Sequence, residues 1–437
     1  MFYTLIESDL SVLSPETFLK YHKQSCLRIQ KKTPLEWIIP TALTALIIDP
    51  KRWQVLADDS ARLFALLKTI SESLIEKSEL EFLQGISLVE KALVLKNPRI
   101  SNMVTARFDG IFTQENWQAV ELNTTIPAMQ GYTDAANALF LSNVSTANFT
   151  CIKLYETLCD DFLNTYPVES VLILTRSNDS QIPELEFLKK IFEKRGVRTH
   201  ITTPEKISIV GQTFKVAGEI FGAVYRHIFA SSFEPNAAFL YALQNNLPIL
   251  NPVAVHYEVK SLFAIAHLLA HSPSLRSKLN MQNVSFECVS RYIPPTYILR
   301  KKISLLGEII DQTPNLAFWK NSRSKYILKK NRSYGGTSVL LGSQFENDAW
   351  MSELERRLED SQELWVIQET INAPFVQISS SDGTIVSENM AYFDFNIFMR
   401  CLKNQPKAVG PSARFSKNPV VNLGLGGGML PSFIGLY

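Results

Sequence analysis

The stretch "ARFDGIFTQENWQAVELNTT", residues 106 to 125, sets an arginine, an aspartate, a glutamate and an asparagine in two short runs that otherwise alternate like half-buried β-strands. Side chains alternate across a strand, so Arg107 and Asp109 share one face, and Glu121 and Asn123 share one face with Val120 and Leu122 opposite. The link TQENWQ is short and polar, which predicts an antiparallel hairpin whose two polar faces coincide. Two carboxylates and an amide oxygen then converge. Like charges about 4 Å apart cost roughly 4 kcal/mol at an effective dielectric near 20, so the cluster calls for a cation. Arg107 is one candidate and a hard divalent ion the other. Oxygen-only ligation by Asp109, Glu121 and Asn123 suits Mg²⁺, which leaves its remaining positions to water and nucleotide phosphates. A solvated hairpin face with an ordinary ion pair accounts for the same residues.

A second group lies far downstream. "KYILKKNRSYGGTSVLLG" reads as strand, loop and strand, with Gly335 and Gly336 in the loop and Lys329 on the first strand. Glycines let backbone N–H groups approach phosphate oxygens, and Lys329 adds positive charge. No G-K-[ST] follows, so this is not a Walker loop, and a Gly-Gly hairpin turn explains it equally well. "ELWVIQETINAP" is a strand whose end can present backbone groups to a nucleobase, "AYFDFNIFMR" is an alternating strand carrying Asp394, and the tail supplies Arg414, Ser416 and Asn422.

The elements that must position these residues follow from the rest of the chain. Its 437 residues exceed one core, so two or three domains are expected. Charged residues make up 20% and hydrophobic ones 46%, with net charge +2, a balance that fits a globular protein and gives no electrostatic case for nucleic acid or an anionic membrane. The five cysteines (Cys26, Cys151, Cys159, Cys288, Cys401) lack metal-ligand spacing, and the start lacks a secretory signal, so a reduced cytoplasmic setting is expected. His267 and His271 stand at helical spacing with no glutamate at motif distance and read as ordinary helix residues. Residues 1–98 read mostly as helix, with Asp49-Pro50 as an N-cap and first helical residue. From about residue 168 strands alternate with helices, which implies an open parallel α/β unit without the G-x-G-x-x-G fingerprint. Ligands at such a sheet bind beyond the carboxyl ends of the strands, which puts Arg176, Ser177, Asn178, Tyr225 and Arg226 near a site. The arginines hint at an anionic acid.

In order, "RFD" and "ELN", then "NP" and "VKSLFAIAHL", "PPT", "ILKKNRSYGG", "VIQE", "DFNIF", "ARFS" and "VNLGLGGG" span about residues 100 to 437. In this order the chain resembles the circularly permuted ATP-grasp family, to which the synthetase part of glutathionylspermidine synthase is related. The resemblance implies an α/β fold with α+β elements. Residues 1–98 would be an N-terminal helical region, 99–165 the first part of the ATP-grasp core with the metal-binding hairpin, 166–255 an open Rossmann-like pre-ATP-grasp domain, and 256–437 the ATP-binding lobe with the remainder of the core. It also implies Mg²⁺ on Asp109, Glu121 and Asn123, and Arg107 and Arg414 at the reacting centre. ATP phosphates would lie on Lys260 and Lys329 under the Gly335-Gly336 loop, with adenine facing the Gln368-Glu369 strand. The activity implied is ligation of a small-molecule or peptide carboxylate to an amine through an acyl phosphate. A kinase that stops at phosphoryl transfer, or a nucleotide-binding protein without ligase chemistry, are the alternatives. Two departures stand out: Lys330 follows Lys329 where the family usually has proline, leaving either lysine as phosphate ligand, and Thr124-Thr125 follow the Glu-x-Asn pair where relatives are often acidic.

Overall fold

The hairpin forms. Strand Met103–Phe112 runs antiparallel to Trp117–Asn123, with Arg107 opposite Asn123 and Asp109 opposite Glu121. The register slips between Asp109 and Gly110, where a Cβ would overlap the Trp117 indole, so only glycine lets that ring lie across the strand. The indole Nε1 donates to the Phe395 carbonyl at 2.8 Å, which ties the hairpin to the neighbouring strand. The computed structural model describes residues 3–7, 28–30, 36–141, 149–229, 237–334, 336, 338–381 and 386–435.

The hairpin is one edge of a seven-stranded sheet. By hydrogen-bonded neighbours the order is Phe375–Ser381, Thr41–Ala42, Gly428–Leu430, Gln405–Ser416, Val386–Leu402, Met103–Phe112 and Trp117–Asn123, and Phe375–Ser381 also pairs with the start of Val386–Leu402. Val386–Leu402 therefore lies beside the hairpin although nearly three hundred residues separate them, and its pairing with Gln405–Ser416 sets Asp394 opposite Arg414. Helix Pro50–Glu76 covers one face of this sheet. Its N-cap Asp49 accepts from the Arg52 N–H at 3.0 Å, Pro50 opens the helix, and Leu56, Leu63, Leu67, Ile70 and Leu74 form a buried stripe against Phe108, Ile397 and Met399 in one core.

The expectation of helix over residues 1–98 holds from Pro50 to Glu76 and from Leu88 to Lys96, while among the described residues ahead of Pro50 the regular elements are strands. Tyr3–Glu7 and Thr44–Ile48 are strands in a four-stranded sheet with Ser432–Gly435 and Phe149–Thr150. Every residue of Thr44–Ile48 is buried, so the run is apolar on both faces and carries no alternation to separate a strand from a buried helix. This sheet pairs strands from residues 3–7 and 44–48 with one at 432–435.

Two further four-stranded sheets flank the site. Arg198–Thr202, Ser170–Leu174, Ala223–Arg226 and Ile249–Leu250 form a parallel sheet in that order, with helices Leu154–Thr165 and Ile182–Lys194 packed on it through Phe162, Leu185, Leu188 and Phe192. This is the open α/β unit expected from the alternating pattern. Thr296–Ile298, Trp365–Glu369, Tyr326–Lys330 and Val339–Leu341 form an antiparallel sheet, whose core joins helices Thr313–Asn321 and Asn347–Leu358 through Trp319, Trp350 and Leu354. Among the described residues no helix is long and apolar enough to cross a membrane.

Candidate functional site

Two arginines and two aspartates alternate on the floor of the site. Arg107 Nη2 donates to Asp109 Oδ2 at 2.8 Å, its Nε donates to Asp109 Oδ1, and its Nη1 holds the Ala128 carbonyl at 2.7 Å. Arg414 Nη2 donates to Asp109 Oδ2 at 3.0 Å and to Asp394, while its Nε reaches Asp394 Oδ2 at 2.9 Å. None of the four is more than 7% exposed. Burial alone would drive the Asp109 carboxyl up, but the two guanidiniums outweigh it and hold the group below the usual carboxylate range. The hairpin register explains the convergence from one side and the Asp394–Arg414 pairing explains it from the other.

Above this floor stand the lysines. Lys260, just ahead of helix Ser261–His271, has its Nζ 3.6 Å from Glu121 Oε2 and donates to the Ser333 carbonyl at 3.1 Å. Lys329 Nζ donates to Gln368 Oε1 at 2.7 Å and to the Val120 carbonyl at 3.1 Å. Its ammonium is buried, which lowers its pKa to about 8 despite Glu121 nearby, with Lys260 lowering it further. Lys330, on the other face of the strand, pairs with Glu363 at 2.7 Å. Alternation thus turns Lys329 toward the hairpin and Lys330 away from it.

These groups share one cavity of about 850 Å³, lined by Arg107, Asp109, Glu121, Asn123, Lys260, Lys329, Asp394 and Arg414. Around the floor four cations face three carboxylates, while the whole lining, with Arg176, Asp179 and Glu369 added, carries five of each. Gly336 lines the same space at φ 69°, and Gly335 lies outside the described residues. Glu369 and residues 370–373 line it too. Gln368 does not. It is 2% exposed and bridges Lys329 to the Thr296 hydroxyl, which its Nε2 reaches at 2.9 Å, so it orients a lysine rather than facing a base.

The far end of the cavity meets the carboxyl ends of the parallel strands. Arg176 lines it, but Ser177, Asn178 and Tyr225 do not. Arg226 is fully buried, and its guanidinium is spent on the carbonyls of Asn251 and Pro252, both at 2.7 Å, and Ile228, so it braces the strand ends instead of meeting an acid. The sequence reading missed Asp179, Gln181, His227 and Tyr132, all of which line this end. Asp179 accepts from the Thr175 hydroxyl at 3.0 Å and from Arg176 Nε at 3.2 Å. His227 Nε2 lies 2.7 Å from Gln181 Oε1, and burial lowers its pKa to about 4, so the ring is neutral near pH 7. Tyr132 is 4% exposed, and its hydroxyl has no hydrogen-bond partner among the described residues. The one available signal was position: Asp179 and Gln181 follow the first parallel strand by a few residues, and His227 directly follows the third.

Among the described residues no three His, Cys, Asp or Glu side chains gather as a metal cluster. Asp109, Glu121 and Asn123 offer two carboxylates and an amide oxygen, which is the hard-oxygen chemistry Mg²⁺ takes. Glu121 is 31% exposed at its side chain and opens onto the cavity with Asn123, whereas both Asp109 oxygens are engaged by guanidiniums. The set fits such an ion through Glu121 and Asn123 directly, and through Asp109 on exchange of an arginine contact.

No family model matches the sequence, and no curated protein matches it. Solved structures do. A glutathione synthetase-like effector from Globodera pallida, in its apo form, overlays at TM-score 0.65 with 10% identity over 98% of this chain and 98% of its own. A putative gamma-glutamylcysteine synthetase from Methylobacillus flagellatus gives 0.42 at 12% identity over 84% and 87%, and a RimK domain ATP-grasp protein from Sphaerobacter thermophilus gives 0.27 at 15% over 58% and 91%. The last two overlays are too loose to bear on the architecture. The chain has the mixed α/β fold of the glutathione synthetase-like effector along nearly its whole length.

Proposed function

We propose that this chain is an ATP- and Mg²⁺-dependent ligase of the circularly permuted ATP-grasp type, joining a small-molecule or peptide carboxylate to an amine or similar nucleophile. The observation that carries the reading is a single cavity in which Asp109, Glu121 and Asn123 from the early hairpin face Lys260, Lys329 and Arg414 from the last two fifths of the chain. In this reading residues 99–165 and 256–437 are the two parts of the core, 166–255 are the pre-ATP-grasp domain, and the metal ligands precede the lysines in chain order.

The residues divide the work by position. Lys260 and Lys329 take phosphate oxygens, each already held by a backbone or amide acceptor that fixes its direction. Gly336 allows the backbone close to the phosphates, and Glu369 with residues 370–373 walls the nucleobase end. Arg107 and Arg414 neutralise charge on the phosphoryl group as it moves from ATP to the substrate carboxylate, and their buried carboxylate partners keep the guanidiniums in place. A carboxylate oxygen bonds to the γ-phosphorus as ADP leaves, and the amine then displaces phosphate from the acyl carbon. Glu121 and Asn123, with Asp109, would hold Mg²⁺, which supplies charge neutralisation across the phosphates when bound. The second end, with Arg176, Gln181, His227 and Tyr132, receives the substrates. Positioning in a walled cavity is the main contribution such a site makes, so no covalent nucleophile is required.

The test is a screen of carboxylate and amine pools with ATP and Mg²⁺, read by mass spectrometry. ADP and phosphate formed together with a condensed product support the ligase. A stable phosphorylated product makes the protein a kinase, and full activity of Asp109→Ala removes the metal assignment.

A further inference from the structure

One buried carboxylate outside the cradle touches both of its walls. Glu258 is 7% exposed and does not line the large cavity. Its Oε2 accepts from the backbone N–H groups of Thr124 and Thr125, both at 2.8 Å, and its Oε1 accepts from the Thr125 hydroxyl at 2.7 Å. Those threonines directly follow Asn123, at the place where the sequence departs from its relatives. The same Oε1 accepts from the Tyr334 hydroxyl at 2.8 Å and from the Arg332 guanidinium. Arg332 also reaches Glu90 Oε1 at 3.0 Å, and the Tyr334 ring lies 4.3 Å from that of Phe229, beyond the end of a parallel strand. Between Arg332 and Tyr334, the Ser333 carbonyl takes the ammonium of Lys260, two residues after Glu258.

We propose that Glu258 is a positioning residue for this cradle: by binding the hairpin end behind Asn123 and the Arg332–Tyr334 segment together, it sets the distance between the metal-ligand wall and the wall carrying Lys260. The proposal rests on the nucleotide-binding reading of the cavity. Its physical basis is the number and origin of the donors. A carboxylate has about four lone-pair sites, and here they are filled by groups from two separate segments of the chain. Glu258→Gln leaves one amide oxygen for the Thr124 and Thr125 N–H groups and sets an NH₂ donor against the Arg332 guanidinium and the hydroxyls of Thr125 and Tyr334, so the join between the two walls weakens. Lys260 then keeps its charge but loses its fixed address.

The experiment measures binding of the imido analogue AMP-PNP with Mg²⁺ to the full chain, alongside hydrogen exchange of the protein without nucleotide. Glu258→Gln is expected to weaken AMP-PNP at least tenfold and to speed exchange at residues 120–126 and 330–334 together. Tyr334→Phe removes one hydroxyl and keeps the ring contact, so it folds if the first variant does not. It is expected to weaken AMP-PNP about threefold. Glu258→Asp, which keeps the charge on a shorter arm, is expected to recover part of the affinity lost in Glu258→Gln. Wild-type affinity in both Glu258→Gln and Tyr334→Phe overturns the proposal, as does unchanged exchange in either segment of Glu258→Gln. A wild-type protein that binds no nucleotide instead overturns the ligase reading, and the exchange data still decide whether Glu258 joins the two walls.

Discussion

Lys329→Met isolates a single charge in the cradle. The side chain is 5% exposed, and its ammonium donates to Gln368 Oε1 at 2.7 Å and Val120 O at 3.1 Å, leaving its third proton for a ligand. One hydrogen bond from an ammonium to a phosphate is worth about 1.5–3 kcal/mol, so the substitution should weaken an ATP analogue by roughly 12- to 150-fold. Stability should change little. The lost donor costs about 1–3 kcal/mol at two buried acceptors, but relief of the ammonium's desolvation acts in the opposite direction. The free-state pKa of about 8 gives a second readout. Below pH 8 the site is charged. As pH rises through 8 the free protein loses the proton that bound phosphates favour, so wild-type affinity should fall by up to about tenfold per pH unit. For folding the sign is reversed: the unfolded chain holds this proton up to its ordinary value near 10.5, so the group's contribution to stability rises with pH between about 8 and 10.5. Titration calorimetry with AMP-PNP and Mg²⁺ at pH 7, 8 and 9 measures the affinity and its pH slope, and urea unfolding between about pH 8 and 10.5 measures the stability effect. Lys330→Met is the control, since Lys330 is turned to Glu363, and its affinity should stay within about threefold of wild type. A large loss in Lys330→Met with none in Lys329→Met, or an unchanged pH slope in Lys329→Met, refutes the assignment.

Gly110→Ala should destabilise the protein by about 1–3 kcal/mol, because the methyl displaces the Trp117 indole and its bond to the Phe395 carbonyl; an unchanged urea midpoint would contradict the packing. Tyr132→Phe deletes a buried hydroxyl that lacks a partner among the described residues, so its midpoint should be equal to or above wild type while kcat/KM for ligation falls at least threefold. Equal kcat/KM would place that hydroxyl outside the substrate's reach. Burial lowers the pKa of His256 to about 3 against an ordinary 6.5, so the unfolded chain takes up a proton that the folded one refuses across that window. Stability from this group is therefore lost as pH falls from about 6.5 toward 3, at ~1.4 kcal/mol per unit. His256→Gln should show a shallower slope than wild type in urea unfolding across that range, and identical slopes would refute the buried neutral ring.

Local chemistry was legible in the sequence wherever a two-residue period marked a face. Alternation paired Arg107 with Asp109 and Glu121 with Asn123, because that property belongs to a single strand, whereas the choice of Lys329 or Lys330 as phosphate ligand was implied by the family resemblance. The same reasoning recognised the parallel unit from its strand and helix succession and the cap at Asp49 from its own short-range bonds. It failed where no period exists. Thr44–Ile48 is apolar on both faces, and its strand character comes from partners near residues 3–7 and 432–435. Only the tertiary structure decided which lysine turns to the hairpin, that Gln368 serves Lys329 while Arg226 serves carbonyls, and that Tyr132, His227 and Glu258 stand where they do. Each of those outcomes depends on which surfaces meet across the fold, and a burial or a hydrogen bond set by how separate segments pack leaves no local pattern to read.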